Sequence, residues 1–340
     1  MQSFRINNAS SVDLVEEPVP VAGAGEVLVR IRAASLNARD RILLDQVIDG
    51  GAAVGKIALS DGAGVVESVG ERATRFQVGD RVVNCFHPMW FGGVRRGHAP
   101  TYALELDGWL TEFLVVSEQA LLRIPDHLSF EEAATLPCAG VTAWSALAGV
   151  GAGDTVLVQG SGGVSIFAAQ FAVAAGARVI ATTSSAEKAT RFGELGVQDV
   201  LNYVDRPDWG AEVRRLTGGR GVDLVVEIGG AGSLAQSSRA LAYGGRISLI
   251  GNLAPSGEEI DLMQFFWNGA TLRSIAVGSR SDFEDMNRVL AQHQMHPVID
   301  RVFPFSEARA ALSHFRAGAR FGKVVISHEP AASVHASVGR

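Results

Sequence analysis

Cysteine is scarce in this 340-residue chain, which contains only Cys85 and Cys138. Two cysteines cannot form a disulfide framework or a cysteine-rich zinc site. No uninterrupted apolar run reaches the roughly 20 residues that a membrane span requires, and the first residues contain no apolar core of signal-peptide length. These absences predict a soluble protein of a reducing compartment, most simply the cytoplasm.

Long basic runs are absent as well. The net charge is −6, and the pair Arg95 and Arg96 is the nearest approach to a basic run. The sequence therefore implies neither a nucleic acid nor a membrane as a partner and leaves a small-molecule substrate as the expectation. A composition of 47% hydrophobic and 19% charged residues is typical of a globular protein with a well-buried core. The length of the chain is sufficient for two domains.

Two patterns of apolar residues divide the chain. Residues 1–122 carry short apolar runs separated by glycine-rich turns, and residues 293–340 return to strand-like runs around one helix. Between them, apolar runs alternate with helix-like segments, which indicates parallel βαβ units. We therefore predict an α/β fold in which a doubly wound Rossmann sheet (123–292) is inserted into a discontinuous, mostly antiparallel β domain.

A glycine-rich turn follows the apolar run TVLVQ and precedes an alanine-rich helical segment. Glycine turns are common, but a strand before, a helix after and a second strand at the right distance are the context of a dinucleotide site. Glycine allows the tight turn and lets backbone amides at the helix N-terminus approach a pyrophosphate, while Ser165 stands where a third glycine is usual. The predicted cofactor loop comprises Gly160, Ser161, Gly162, Gly163 and Val164.

The second strand of this unit lacks the acidic residue that usually binds the ribose of NAD. It ends instead in Thr183 and Ser184. Neutral hydroxyls can donate hydrogen bonds to a 2′-phosphate, Lys188 can add positive charge, and Tyr203 at the end of the next strand can add a phenol. The same residues also suit a helix N-cap at Ser184 or Ser185. The pattern favours NADPH over NADH.

Jointly, seven segments of the chain resemble the medium-chain dehydrogenase/reductase superfamily, and within it the zinc-free quinone oxidoreductase branch and its alcohol-dehydrogenase-like relatives. The resemblance covers nearly all of residues 1–328 and implies that the discontinuous β domain is GroES-like and catalytic. The segments are AASLNARD, DGAGVVESVG, FQVGDRVV, LPCAGVTAW, VLVQGSGGVSIFAAQFA, RRLTGGRGVDLVVE and FGKVVI.

The resemblance also addresses the metal of zinc-dependent members. Their ligands are a Cys in C-x-x-D, a His in G-H-E and a Cys four residues before a Thr. This chain has Asn37 in the first position and Ser60 followed by Asp61 in the second, and it keeps only Cys138. One soft ligand beside an amide and a hydroxyl does not form a zinc site, so we expect no metal.

The resemblance implies the remaining site residues. Asn37 and Thr142 are expected at the nicotinamide end of the cleft, with Asn37 as an amide donor, although Asn37 also suits a turn after a strand. Asp40 is expected to orient Asn37 or relay a proton, and an ion pair with Arg39 or Arg41 is an equal alternative. A Tyr common in relatives is here Ile42, which leaves the proton donor open. Further expected cofactor contacts are Gly251, Asn252, Val277, Phe321 and Lys323.

These observations predict an enzyme that transfers hydride from NADPH to a conjugated carbonyl or a quinone without metal. Conjugation spreads the developing negative charge onto an oxygen that one or two hydrogen-bond donors can stabilise, whereas alcohol oxidation without zinc lacks a Lewis acid. The alternatives are a zinc-independent alcohol or aldehyde dehydrogenase and a non-catalytic NADPH-binding protein. Relatives suggest a homodimer built on sheet edges.

Overall fold

The computed structural model describes residues 1–45, 52–254 and 259–328. The chain divides into two compact units. The first unit is Met1–Cys138 with Ser279–Arg340, and the second unit is Ala139–Gly278. In the described ranges, no helix has the length and apolar character needed to cross a membrane.

The first unit consists mainly of strands. Its elements are β1 (Gln2–Ile6), β2 (Val12–Glu16), β3 (Glu26–Ser35), α1 (Ala38–Leu44), β4 (Asp61–Val69), β5 (Arg81–Asn84), β6 (Phe113–Ser117), β7 (Leu121–Arg123), α2 (Phe130–Ala133), and, after the second unit, α9 (Arg280–His293), β14 (Ile299–Pro304), α10 (Ala308–Ala317) and β15 (Lys323–Ser327).

The long strand β3 organises this unit. It pairs antiparallel with β4, β6 and β15 in a seven-stranded sheet. Six strands follow the order β14-β15-β3-β4-β5-β7, and the seventh, β6, lies off this path and pairs with β3. Strands β14 and β15 are parallel, so the C-terminal segment returns to the sheet through helix α10. Alternate residues of β3, including Val27, Val29 and Ile31, enter a core that also contains Trp109 and Leu312. The pairing of β3 with β15 brings the last strand beside the residues that follow β3.

The second unit alternates strands and helices. Its elements are α3 (Val141–Ala146), β8 (Thr155–Gln159), α4 (Gly163–Ala174), β9 (Arg178–Thr183), α5 (Ala186–Glu194), β10 (Asp199–Asn202), α6 (Trp209–Leu216), β11 (Val222–Glu227), α7 (Leu234–Ala240), β12 (Leu241–Leu249), α8 (Leu262–Trp267) and β13 (Thr271–Ser274). All six strands are parallel, in the order β10-β9-β8-β11-β12-β13. The order reverses at β8 and β11, which is where open α/β sheets bind ligands.

The fold class predicted from the sequence is confirmed: a parallel doubly wound sheet is inserted into a mostly antiparallel β unit. The boundaries between units differ from the predicted 122/123 and 292/293. The predicted range 123–292 includes most of helix α9, but this helix groups with the first unit. Its first residues donate backbone hydrogen bonds to loop carbonyls there, Arg280 to Trp90 at 2.9 Å and Ser281 to Phe91 at 3.1 Å.

Candidate active site

The glycine loop joins strand β8 to helix α4. Gly160 has φ +65°, a left-handed conformation in which glycine is unstrained. Gly162 is the N-cap of α4, with extended backbone angles. A Cβ added at Gly162 would meet no atom within 4 Å, so the space in front of the helix N-terminus is open. The N-terminus of α4 thus faces a space that a phosphate can enter.

Ser165 is compatible with the close packing of this turn. It is fully buried, and its hydroxyl donates a 2.5 Å hydrogen bond to the carbonyl oxygen of Gln159 at the end of β8. The small polar side chain therefore links the first turn of α4 to the strand that precedes the loop.

Sequence reasoning did not single out Glu227, the last residue of β11. Its buried carboxylate accepts hydrogen bonds from the backbone N–H groups of Gly229 and Gly230 at 2.8 and 2.9 Å, and from Gln159 Nε2 at 2.8 Å. The hydroxyls of Ser233 and Ser237 donate to it as well. The available signal was an acid that ends the apolar run LVV of this strand. Glu227 fixes the backbone beside the glycine loop.

The ends of β9 and β10 bring the predicted cofactor-selecting residues together. Thr183 is buried and pairs with Asn202 across the strands, and the backbone N–H of Tyr203 donates to the Thr183 carbonyl at 3.0 Å. The Thr183 hydroxyl is buried and has no hydrogen-bond partner among the described residues. Ser184 is exposed. No carboxylate ends β9, so a 2′-phosphate would meet hydroxyls here.

The N-cap of helix α5 is Ser185. Its hydroxyl accepts a 3.3 Å hydrogen bond from the backbone N–H of Lys188. Of the two residues expected as alternatives for this cap, the structure therefore assigns the cap to Ser185. The capping role and a role for Ser184 at a cofactor are compatible, because different side chains would serve them.

Two further strand ends in the second unit carry predicted contacts. Asn252 follows β12, and its side-chain oxygen accepts a hydrogen bond from the backbone N–H of Ala231 at 3.0 Å. A Cβ at Gly251 would lie 2.7 Å from the Ile228 carbonyl, so only glycine fits there without a shift. Val277 has φ +63°. A β-branched residue in this region costs about 1–3 kcal/mol and often marks a functional backbone position.

In the first unit, Asn37 and Asp40 lie at the start of α1, both buried. The backbone N–H of Asn37 donates to Asp40 Oδ2 at 2.7 Å, and the backbone N–H of Asp40 donates to the Asn37 carbonyl at 3.1 Å. Arg39 Nη1 lies 4.0 Å from Asp40 Oδ1. Asp40 therefore makes one contact that matches each expectation, a hydrogen bond with Asn37 and an ion pair with Arg39.

Lys323, the first residue of β15, points at this same turn. Its Nζ donates to the carbonyl oxygen of Leu36 at 2.7 Å and to Asn37 Oδ1 at 2.6 Å. Asp61, which follows Ser60 at the second of the ligand positions of zinc-dependent members, is fully buried at the start of β4. Its carboxylate accepts hydrogen bonds from Ser60 Oγ at 2.8 Å and from the Cys138 backbone N–H at 3.0 Å.

Burial and mutual interaction shift the pKa values of these ionisable groups. Burial raises the pKa of Asp40 to about 6, against a smaller opposite effect of the Arg39 charge. Burial raises the pKa of Asp61 as well, while the Lys323 charge and the neighbouring Asn37 amide oppose that shift. Burial lowers the pKa of Lys323, and Asp61 is the first of the charges that counter it. Asp61 and Lys323 therefore stabilise each other's charged form.

The donor set does not fit the zinc ion of zinc-dependent dehydrogenases. Burial raises the pKa of Cys138, which favours the protonated thiol over the thiolate that zinc binds. The oxygen of Asn37 already accepts from the Lys323 ammonium. Within residues 1–45, 52–254 and 259–328, no group of three or more His, Cys, Asp and Glu side chains is arranged to hold a metal.

The other candidates are distributed over both units. Thr142 is buried on α3 in the second unit. Phe321 is buried in the first unit, and its backbone N–H donates to Asp300 Oδ1 at 2.9 Å. Trp109 is fully buried in the core, where its ring packs edge-on against Tyr102. The structure thus groups Asn37, Asp40 and Lys323 in one place.

Two family models match the chain. The model described as alcohol dehydrogenase GroES-like domain matches residues 23–126, and the model described as zinc-binding dehydrogenase matches residues 163–292. The chain is 42% identical over 313 residues to a zinc-type alcohol dehydrogenase-like protein of Schizosaccharomyces pombe, covering 89% of this chain and 90% of that protein. The chain belongs to the medium-chain dehydrogenase/reductase superfamily.

Further relatives agree with this assignment. An acryloyl-coenzyme A reductase of Metallosphaera sedula is 29% identical over 333 residues, which cover 92% of this chain and 95% of that protein. The crystal structure of a putative alcohol dehydrogenase from Sinorhizobium meliloti matches with a TM-score of 0.91 and 40% identity, covering 96% of this chain and 98% of that one. The chain is therefore an oxidoreductase, of a superfamily whose Rossmann-fold members bind nicotinamide cofactors.

Proposed function

We propose that this protein reduces a conjugated carbonyl compound or a quinone by hydride transfer from NADPH, without a metal ion. One observation carries the proposal. Where zinc-dependent relatives place metal ligands, this chain has a buried amide, Asn37, that accepts a hydrogen bond from the ammonium of Lys323. A site of this kind supplies hydrogen-bond donors rather than a Lewis acid, which suits an acceptor that conjugation has already activated.

The second unit supports a phosphorylated cofactor. The open space at Gly162 leaves room for the pyrophosphate at the N-terminus of α4. The buried Thr183 hydroxyl has no hydrogen-bond partner in the described part of the chain and can bond a 2′-phosphate, with Ser184, Lys188 and Tyr203 near the same strand ends. A carboxylate at the end of β9 would repel that phosphate. We therefore infer NADPH rather than NADH as the preferred cofactor.

When bound, the cofactor would supply a hydride from C4 of its nicotinamide ring. The amide of Asn37 donates a hydrogen bond to the acceptor's carbonyl oxygen as negative charge develops there. Asp40 holds the backbone of Asn37 through its 2.7 Å hydrogen bond, and water provides the proton that completes the reduction. The acceptor gains a hydride and a proton, while NADPH is oxidised to NADP⁺.

The name of the Metallosphaera relative, an acryloyl-coenzyme A reductase, provides separate support for a conjugated acceptor. A saturating hydride transfer to acryloyl-coenzyme A is a reduction of a C=C bond conjugated to a thioester. The relatives named alcohol dehydrogenase favour the other candidate reaction, reversible oxidation of an alcohol. The two candidates differ in the acceptors that they consume.

A direct test measures oxidation of NADPH and of NADH in parallel with enones, enoyl thioesters, quinones and simple aldehydes. We expect turnover of conjugated acceptors with NADPH and little turnover of simple aldehydes. Turnover of aldehydes alone would favour the alcohol dehydrogenase reaction. Tight binding of NADPH without turnover of any acceptor would favour a non-catalytic binding protein.

A homodimer is the second part of the proposal. Strand β13 lies at the edge of the parallel sheet with all four residues exposed, so its outer N–H and C=O groups are available for another strand. Helix α8, which precedes it, exposes Leu262, Met263, Phe266 and Trp267. Contiguous exposed apolar side chains beside an unpaired edge are typical of a self-association surface.

A further inference from the structure

We propose that Lys323 is a positioning residue that fixes which face of the Asn37 amide is presented to the substrate. The inference rests on the proposed function of Asn37 as a hydrogen-bond donor to the acceptor's carbonyl oxygen. It differs from the contact with the cofactor that the family resemblance implied for Lys323.

The Lys323 ammonium has three hydrogen-bond donors and no acceptor. Its Nζ lies 2.6 Å from a side-chain atom of Asn37, and only the amide oxygen can accept a hydrogen bond there. The amide cannot rotate by 180° without placing its NH₂ group against the ammonium. Lys323 therefore determines the orientation of the Asn37 amide, and the NH₂ group must point away from it.

The NH₂ group of the Asn37 amide remains available to a ligand. Asn37 Nδ2 is buried and has no hydrogen-bond partner among the described residues, although the amide lies near enough to Asp61 to lower that carboxyl's pKa. An amide NH₂ group has two donors, so at least one stays available. A buried donor without a partner is costly to maintain, by about 1–3 kcal/mol, which is consistent with a site that a ligand completes.

Neighbouring groups hold the Lys323 side chain in place. The Leu36 carbonyl accepts its second hydrogen bond at 2.7 Å, and the charge of Asp61 favours its protonated form. Asp61 is in turn fixed by Ser60 Oγ and the Cys138 backbone N–H. Lys323 is buried on β15, which is paired on one side with β14 and on the other with β3, so its position is set by the fold. An ammonium thus also polarises the Asn37 amide and strengthens its N–H donors.

The test compares variants that remove the ammonium while leaving no uncompensated buried charge. Lys323→Met combined with Asp61→Asn replaces the charged pair by neutral groups. Lys323→Gln combined with Asp61→Asn keeps a possible donor but no longer forces the amide orientation. Asn37→Ser removes the amide and keeps a hydroxyl at the N-cap. Lys56→Met, at a half-buried lysine of the same unit outside this group, is the matched control.

For each variant we would measure kcat and KM with a conjugated acceptor, the Kd for NADPH and the thermal midpoint. We expect kcat to fall about 10- to 100-fold in the Lys323→Met/Asp61→Asn variant, with a smaller change in KM and a Kd for NADPH within about twofold of the wild type. Adding Asn37→Ser to that variant should give no further loss beyond Asn37→Ser alone, because Lys323 acts through Asn37.

Three results would overturn the inference. One is a kcat within twofold of the wild type in a folded Met or Gln double variant. Another is a weakened Kd for NADPH with kcat retained, which would indicate a cofactor contact. The third is full additivity with Asn37→Ser. If the Met variant does not fold, the Gln variant decides. A wild type that reduces no conjugated acceptor would instead contradict the proposed function, and the inference would fail with it.

Discussion

The Asp61 carboxylate accepts a hydrogen bond from the Cys138 backbone N–H at 3.0 Å, so the cysteine contacts Asp61 through its backbone rather than its thiol. Burial, followed by the nearby Asp61 charge, raises the pKa of Cys138. A protonated thiol beside an amide and a hydroxyl is a poor donor set for zinc. We therefore predict that the purified protein contains no stoichiometric zinc.

Elemental analysis after purification tests this, together with NADPH oxidation before and after incubation with a strong chelator. The rate should be unchanged by the chelator, and Cys138→Ala should have the same metal content as the wild type. About one zinc per chain, lost together with activity on chelation, would contradict both this prediction and the proposed mechanism.

Asp40 should make stability depend on pH. Its folded-state pKa of about 6 lies above the ordinary value, so in the folded protein the carboxyl binds its proton more tightly than in the unfolded chain. Its favourable contribution is complete at low pH and is lost as the pH rises from about 4 through 6. By linkage, the loss amounts to about 3 kcal/mol at neutral pH.

Asp40→Asn removes this titration and keeps an oxygen that can accept from the Asn37 backbone N–H. We expect the free energy of unfolding of the variant to rise relative to the wild type by about 2–3 kcal/mol between pH 4.5 and pH 7.5. Urea denaturation of both proteins at several pH values measures the difference. A difference that does not vary with pH would mean that Asp40 is ionised throughout that range.

The parts of this site that could be predicted from the sequence are those whose residues are close together along the chain. The turn at Gly160 and Gly162 was predictable because the strand, the glycines and the helix are adjacent in sequence. The environment of Lys323 was not, because its partner Asn37 lies 286 positions away and the pairing of β15 with β3 decides it. The motif FGKVVI identified the strand but not the direction of its lysine.

The difference between neighbouring and distant residues also explains why the sequence did not predict the unit to which α9 belongs. Its amphipathic sequence predicts a helix, but nothing within SDFEDMNRVLAQH indicates which sheet it joins. The backbone hydrogen bonds from Arg280 and Ser281 to the loop at Trp90 and Phe91 assign it to the first unit. Glu227 was missed for a related reason, since its five described donors come from three separate segments.

Substitution at Gly162 should separate cofactor binding from folding. Its backbone is extended, with φ −77°, and an added Cβ meets nothing, so Gly162→Val should change the free energy of unfolding by less than about 0.5 kcal/mol. The new side chain would occupy the space through which a pyrophosphate approaches the helix. We expect the Kd for NADPH to increase at least about tenfold.

Gly151→Val is the matched control, since a Cβ at Gly151 also meets nothing and Gly151 lies outside the loop. Fluorescence titration with NADPH and thermal unfolding of both variants measure the two quantities. Unchanged NADPH affinity in a folded Gly162→Val protein would show that the pyrophosphate binds elsewhere.

Thr183→Asp should reverse the cofactor preference. The carboxylate would lie at the end of β9, where it can bond the two hydroxyls of an NADH ribose but repels a 2′-phosphate. We expect the NADPH Kd to increase about 10- to 100-fold and the NADH Kd to change by no more than a few-fold. Thr190→Asp, on the exposed side of α5, adds the same charge without this selectivity. Equal effects of Thr183→Asp on both cofactors would refute the placement of the 2′-phosphate.

The exposed edge at β13 should hold the proposed dimer together. Trp267 is 68% exposed within one chain, and burying a side chain of this size contributes about 1.5–3 kcal/mol per copy. Trp267→Glu would place two like charges in a twofold interface, since the same surface occurs on both copies. Light scattering should give a dimer for the wild type and a monomer for this variant at micromolar concentration. Val21→Glu, at an 89% exposed valine of the first unit, should remain dimeric. A wild-type monomer, or a dimer that survives Trp267→Glu, would move the association surface away from this edge.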